Sequence, residues 1–358
     1  MNEYQNYGEE NGRPDYYEQY TEEKIREARG VFSRYHLGLF AYTAVAYAVA
    51  ILAEVLIILI LGKGKMSELY ENIYFQWLLG VGPMYIVGFP IFFLITKNMK
   101  KRTYKKEKMG VGEFLTLFLV SQGVMIVGNV IGTALNSFIG AIIGRDIANS
   151  TSDLIENSPV WLITLVAVII GPIIEEMMFR KMMIDRLGVY GDKIAIIVSA
   201  VAFGLFHGNF YQFFYAAMLG MVLGYVYTKT GNTLYNTALH MIINFFGSVA
   251  VLPIMKISER FAETAEKFQA GADIDYLSLI QDFTVIYSYS LVQYLTAIAG
   301  VVILIYAFSK RKIKINKECE YIIPRERVGG VVFGNVGVII FLIASFVIFG
   351  INIFGIAF

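Results

Sequence analysis

Long apolar runs separated by short polar stretches dominate the chain. They fall at roughly 37–61, 73–96, 112–143, 158–186, 192–208, 210–228, 232–253, 284–308 and 329–356. A helix needs about 20 apolar residues to cross the ~30 Å hydrocarbon layer of a bilayer. Most of these runs meet that length; 192–208 is short, and 112–143 is long for one crossing. The pattern predicts an all-α fold, a polytopic transmembrane helical bundle of about 8–9 transmembrane (TM) helices. Residues 1–30 are polar and Tyr-rich, and 21–34 favour a helix, so 1–35 reads as a tail with a surface helix and shows no signal peptide. Residues 36–145 then form the N-terminal TM helices, 158–253 a central helical core, 254–283 an extracytoplasmic segment and 284–358 the C-terminal TM helices.

Composition agrees with the pattern. Of 358 residues, 56% are hydrophobic and only 16% charged, and the mean hydropathy is +0.57, far from the balance of a soluble domain. The single cysteine, Cys319, excludes an internal disulfide framework. A net charge of +1 is uninformative; the distribution of charge is not. Lys97, Lys100, Lys101, Arg102, Lys105, Lys106 and Lys108 crowd one loop, and 310–327 is equally basic. Arg180, Lys181, Arg186 and Lys193 gather between the fourth and fifth runs. Residues 145–157 and 256–283 are acidic instead. By the positive-inside rule the basic side is cytoplasmic, which places the N-terminus inside a multi-pass protein of the plasma membrane. The bilayer is the expected surrounding, and no nucleic acid is expected as a partner.

Polar residues inside the apolar runs are costly and mark candidate sites. Glu54, Asn129, Asn136 and Asn335 each read best as interhelical hydrogen-bond or cavity residues. Gly140-x-x-x-Gly144 and Gly220-x-x-x-Gly224 read as helix packing. The rest concentrate in the fourth to seventh runs. Glu175 and Glu176 are adjacent, about 100° apart on an α-helix, so they cannot point the same way. Arg180 lies four residues after Glu176, on its face, in the favourable order for a pair. Glu175 has no partner on its own helix. Phe203 and His207 are four apart, as are His240 and Asn244. A carboxylate near an imidazole can take a proton from water, and an imidazole N–H beside an asparagine amide can stabilise an oxyanion. The same residues also admit a purely structural reading, as buried polar groups holding a bundle together.

Three motifs in order, Glu175-Glu176-x-x-x-Arg180, Phe203-x-x-x-His207 and His240-x-x-x-Asn244, each in its own apolar run, resemble the signature of the CPBP intramembrane proteases. That family includes the type II CAAX prenyl proteases and the bacteriocin-processing and abortive-infection proteins. The resemblance covers roughly 158–250 and implies a protease core over 158–253, in TM4–TM7. It implies an endopeptidase cutting a membrane-associated peptide or protein substrate, prenylated or carrying a leader peptide. Glu175 and His207 would activate water, and His240 and Asn244 would hold the oxyanion. Glu176, Arg180 and Phe203 would support them. If a metal such as Zn is present, Glu175, His207 and His240 would be its ligands; without His-Glu-x-x-His, glutamate-activated water with no metal is favoured. The alternative is a non-catalytic membrane protein of the same fold with an immunity, scaffold or partner-binding role. The inverted repeat of broken helices common in transporters is not seen. Rhomboid-type Gly-x-Ser-Gly and a pair of intramembrane aspartates are also missing.

Overall fold

Why the chain breaks where it does follows from its caps. Asn72, Asn149, Asn209, Asn232, Asp275 and Asn335 each accept backbone N–H bonds at the start of a helix, satisfying donors that a helix N-terminus leaves open. Gly144 and Gly231 close helices with φ of 73° and 57°, a backbone region open to glycine at little cost. The computed structural model that shows this describes residues 14–315 and 319–355.

Among the described residues there are helices and no strands. They are α1 (Pro14–Leu61), α2 (Lys63–Tyr70), α3 (Ile73–Thr96), α4 (Val111–Ile143), α5 (Ser150–Glu156) and α6 (Val160–Tyr190). Then follow α7 (Asp192–Phe206), α8 (Phe210–Thr230), α9 (Thr233–Gln269), α10 (Tyr276–Ser309), α11 (Val328–Val332) and α12 (Val336–Phe354). Eight are long and apolar enough to cross a membrane, which bears out a polytopic helical bundle. The ninth expected span is α7. Its 15 residues reach only about 22 Å, too short to cross a bilayer alone. The last expected run is also divided: α11 ends at Val332, and Asn335 caps α12 by accepting from Val338 N at 3.0 Å. Asn335 is therefore a helix cap within a break of the apolar run.

The N-terminal segment differs from the expected surface helix. It is the first part of a continuous α1, about 70 Å long. Ile25, Ala28, Phe32, Tyr35, Leu39, Tyr42 and Ala46 are all at most 2% exposed, and their three-and-four spacing makes one buried stripe. Residues 1–13 of the expected tail lie outside the described residues.

Helix α8 packs between α7 and α4, and α4 in turn packs on α10; α1 joins α3 and α12 on the other side. Close approach uses small residues. A Cβ on Gly220 would stand 2.9 Å from Ala200 Cα, and one on Gly224 3.1 Å from Ile196, so that motif is a packing contact between α7 and α8. The second close pair in α4 is Gly128-x-x-x-Gly132, whose Cβ atoms would collide with the backbone of Tyr215 and Phe210. Gly140 and Gly144 instead form the end of α4, against Arg145.

The basic loop between α3 and α4 is pinned across the helix ends. Arg102 N donates to Asp185 O at 2.7 Å, and Glu107 N to Thr230 O at 2.8 Å. Arg102 Nη1 and the Tyr104 hydroxyl both donate to Asp192 Oδ1, at 3.2 and 2.6 Å. Burial, and then the Asp192 carboxylate, push the Tyr104 hydroxyl well above its ordinary pKa. Two of the cations counted with this side, Arg180 and Arg186, are buried inside the protein. The outer side chains of α10, such as Leu291, Ile298 and Ile305, are exposed, as a lipid-facing helix requires.

Candidate active site

The site is built on irregular helix. Two π-helical stretches, Thr164–Ile170 and Glu176–Ile184, flank a short α segment, Gly171–Glu175, and a third, Phe245–Val249, follows Asn244 directly. Such i→i+5 turns are rare and gather at functional positions. They loosen the backbone ladder, and side chains from neighbouring helices bond to the carbonyls there. The Tyr35 hydroxyl donates to Met178 O at 2.5 Å and Ser199 Oγ to Phe179 O at 2.7 Å. Asn244 Nδ2 donates to Ala167 O at 2.9 Å. These bonds satisfy backbone groups where water is scarce, and they lock α6 to α1, α7 and α9.

His240 stands between the two carboxylates. Its Nδ1 is 2.9 Å from Glu176 Oε1, and its Nε2 is 3.6 Å from Glu175 Oε2. The adjacent acids thus converge on one ring from opposite edges. The ring bridges the angle between them, and the change from α to π turn occurs between these two residues. Glu176 also pairs with Arg180, its Oε2 3.2 Å from Nε, as the i,i+4 spacing predicts. Arg180 is 0% exposed. Its guanidinium lies 4.4 Å over the Phe203 ring, a cation–π contact strengthened by burial.

Phe203 is the wall shared by both histidines. Its ring meets His207 at 4.9 Å and His240 at 5.7 Å between centroids, edge-on to each. His207 Nδ1 donates to Phe203 O at 2.8 Å, which fixes the tautomer and leaves Nε2 with a free lone pair. Glu175, His240 and Arg180 all lie within electrostatic reach of His207. The turn that carries His207 is tight: Gly208 has φ of 70°, and Asn209 Nδ2 reaches back to His207 O at 3.0 Å. Glu175 keeps 21% of its side-chain surface open, against 1% for Glu176, so Glu175 is the acid that a reactant can approach.

Of the seven residues singled out, six meet around Phe203 and His240; Asn244, one turn beyond His240, is tied to α6 and retains one amide hydrogen. Three tyrosines had no sequence signal. The Tyr85 hydroxyl lies against Gly171, 3.2 Å from where its Cβ would be, and Tyr42, Tyr85 and Tyr215 are within electrostatic reach of Glu175. An aromatic in an apolar run reads as packing. Glu54 and Asn129 keep to their expected interhelical and cavity roles, whereas Asn136 bonds within its own helix. The Tyr70 hydroxyl donates to Glu54 Oε1 at 2.5 Å, Asn136 Nδ2 to Gly132 O at 3.1 Å, and Asn129 lines a cavity.

Among the described residues, no group of three His, Cys, Asp or Glu side chains is gathered so as to hold a metal ion. Of the three residues named for zinc, His240 has its Nδ1 committed to Glu176 and its Nε2 turned toward Glu175, while His207 packs across the Phe203 ring. No step below passes through a metal.

Fold and site together define a multi-pass membrane protein with a carboxylate–imidazole centre inside its helical core. Residues 157–246 match the family described as "Type II CAAX prenyl endopeptidase Rce1-like", which bears out the resemblance carried by the three motifs. A Lactococcus lactis protein, "UPF0177 protein YxdF", is 28% identical over 101 residues, covering 28% of this chain and 56% of that relative. The Bacillus subtilis "Putative membrane peptidase YdiL" is 26% identical over 173 residues, covering 45% of this chain and 67% of that relative. The chain thus spans little more than half the length of the first of these relatives. No solved structure matches. The family and the peptidase-named relative support a membrane protease.

Proposed function

We propose that the chain is an intramembrane endopeptidase that hydrolyses a peptide bond with a water activated by Glu175 and His207. The observation that carries this reading is His240 held between Glu176 and Glu175, with Glu175 the more open acid. His207 Nε2 has its lone pair free to accept from a water, and Glu175 takes the water's proton as it attacks the carbonyl carbon. His240, oriented through its Nδ1 by Glu176, presents its Nε2–H to the oxyanion. The remaining amide hydrogen of Asn244 is the second oxyanion donor. Glu175 then passes its proton to the leaving amine nitrogen as the C–N bond breaks, restoring the carboxylate. Glu176 and Arg180 orient His240 and do not exchange protons with substrate.

The substrate of this reading is a membrane-associated peptide or protein. The basic loops support a cytoplasmic N-terminus. Membranes from cells making the wild type, Glu175→Gln and His207→Ala, compared by quantitative mapping of new peptide termini, test the mechanism. Each variant is expected to lose about 10²–10⁴-fold in cleavage rate while still inserting and purifying as a folded protein. Equal cleavage by all three would leave a non-catalytic bundle. Cleavage by the wild type is expected to survive a strong zinc chelator.

A further inference from the structure

A cavity of about 610 Å³ opens beside the site, between α4, α5, α8, α9 and α10. Its lining is rich in amides and hydroxyls, with Gln122 and Asn129 from α4, Gln212 and Tyr215 from α8 and Gln293 from α10, and it contains no charged side chain. Gln122 is only 9% exposed, and it faces this space. A primary amide that lines such a space pairs with a polar group that enters it. A primary amide offers both donors and acceptors, and its natural complement is another amide. A phosphate, carboxylate or ammonium would find no counter-charge here.

The cavity adjoins the reacting centre. Ile243 lines it and precedes Asn244 in α9. Tyr215 lines it and lies within electrostatic reach of Glu175. Gln212 Oε1 accepts from Asn209 Nδ2 at 2.7 Å, and the same Asn209 group donates to His207 O. We propose that this cavity binds an uncharged peptide stretch of the substrate next to the scissile bond, pairing its backbone amides with Gln122 and the neighbouring amide side chains. The proposal rests on the peptidase reading and deepens it. Helices α4 and α10 lie outside the residues that match the family.

The single cysteine permits a direct test. The full-length protein carrying Cys319→Ser and Glu175→Gln receives Gln293→Cys in the cavity, or Ile298→Cys on the exposed face of α10 as a control. Labelling by N-ethylmaleimide is followed with and without a pool of blocked, uncharged decapeptides. Gln293→Cys is expected to react, and the peptides to slow it about tenfold at ten times their dissociation constant. Ile298→Cys should be unaffected, as should pools carrying Lys or Asp at every third position. Adding Gln122→Leu, in protein that remains monodisperse, should abolish the protection. An unreactive Gln293→Cys, equal protection by charged peptides, protection by a galactosyl lipid in place of peptide, or protection indifferent to Gln122→Leu would overturn the proposal. Because this background is catalytically disabled by design, binding and hydrolysis fail separately: protection without any cleavage by the wild type would retire the peptidase reading alone.

Discussion

Two carboxylates inside apolar helices, Glu176 in α6 and Glu54 in α1, are alike in sequence and unlike in the protein. Glu176 is 0% exposed, hydrogen-bonded to His240 and ion-paired with Arg180. Glu54 accepts one bond from the Tyr70 hydroxyl and lines a cavity of about 900 Å³ with Glu71 and Asp153. Around Glu176 the helices interlock through Tyr35, Ser199 and Asn244, and the core residues Met178, Phe179 and Phe203 are at most 1% exposed. Near Glu54, Leu52, Leu59 and Ile60 are 57–75% exposed. A buried acid therefore marks a centre only where other helices bring groups that use its charge. An acid beside open space can remain solvated and contribute little.

That contrast can be broken at several points. Glu175→Gln keeps the shape of α6 and removes its base. It is expected to cut turnover by up to about 10⁴-fold, near 5.5 kcal/mol in the barrier, with thermal unfolding in detergent unchanged. Arg180→Ala leaves Glu176 buried beside only an imidazole. It should destabilise the protein by about 3–5 kcal/mol, seen as a lower unfolding temperature and loss of monodisperse protein. Phe203→Leu removes the cation–π contact and the wall between the histidines. A loss of about 1–2 kcal/mol is expected, with a larger effect on activity than on unfolding. Glu54→Gln should change stability by no more than about 0.5 kcal/mol and leave cleavage intact. If Glu54→Gln proved as damaging as Arg180→Ala, the distinction between the two regions would collapse.

Much of this was legible in the chain. Run lengths announced a multi-span bundle, and the i,i+4 spacing of Glu176 and Arg180 announced their pair, because helical periodicity makes such neighbours certain once the helix forms. The buried stripe from Ile25 to Ala46 was missed, because the polar residues between its members made 21–34 read as a surface helix. Other features were not legible either. The run at 192–208 reads as a span, and only the packing of α7 against α8 shows a short helix held inside the bundle. Gly128 and Gly132 carry the close approach on α4, whereas Gly140 and Gly144 end it, because the partner across the gap decides which small residues matter.

What the sequence by itself determined is the set of local relations: which residues are helical, which share a face, and where Asn and Gly stop one helix and start the next. Only the tertiary structure decided that Glu175 and Glu176, about 100° apart on a regular helix, would meet opposite edges of one imidazole 64–65 positions later. The reason is physical. Local spacing fixes angles around one axis, whereas the approach of α9 and the π turn that begins at Glu176 are set by packing among helices, which no single stretch of chain contains.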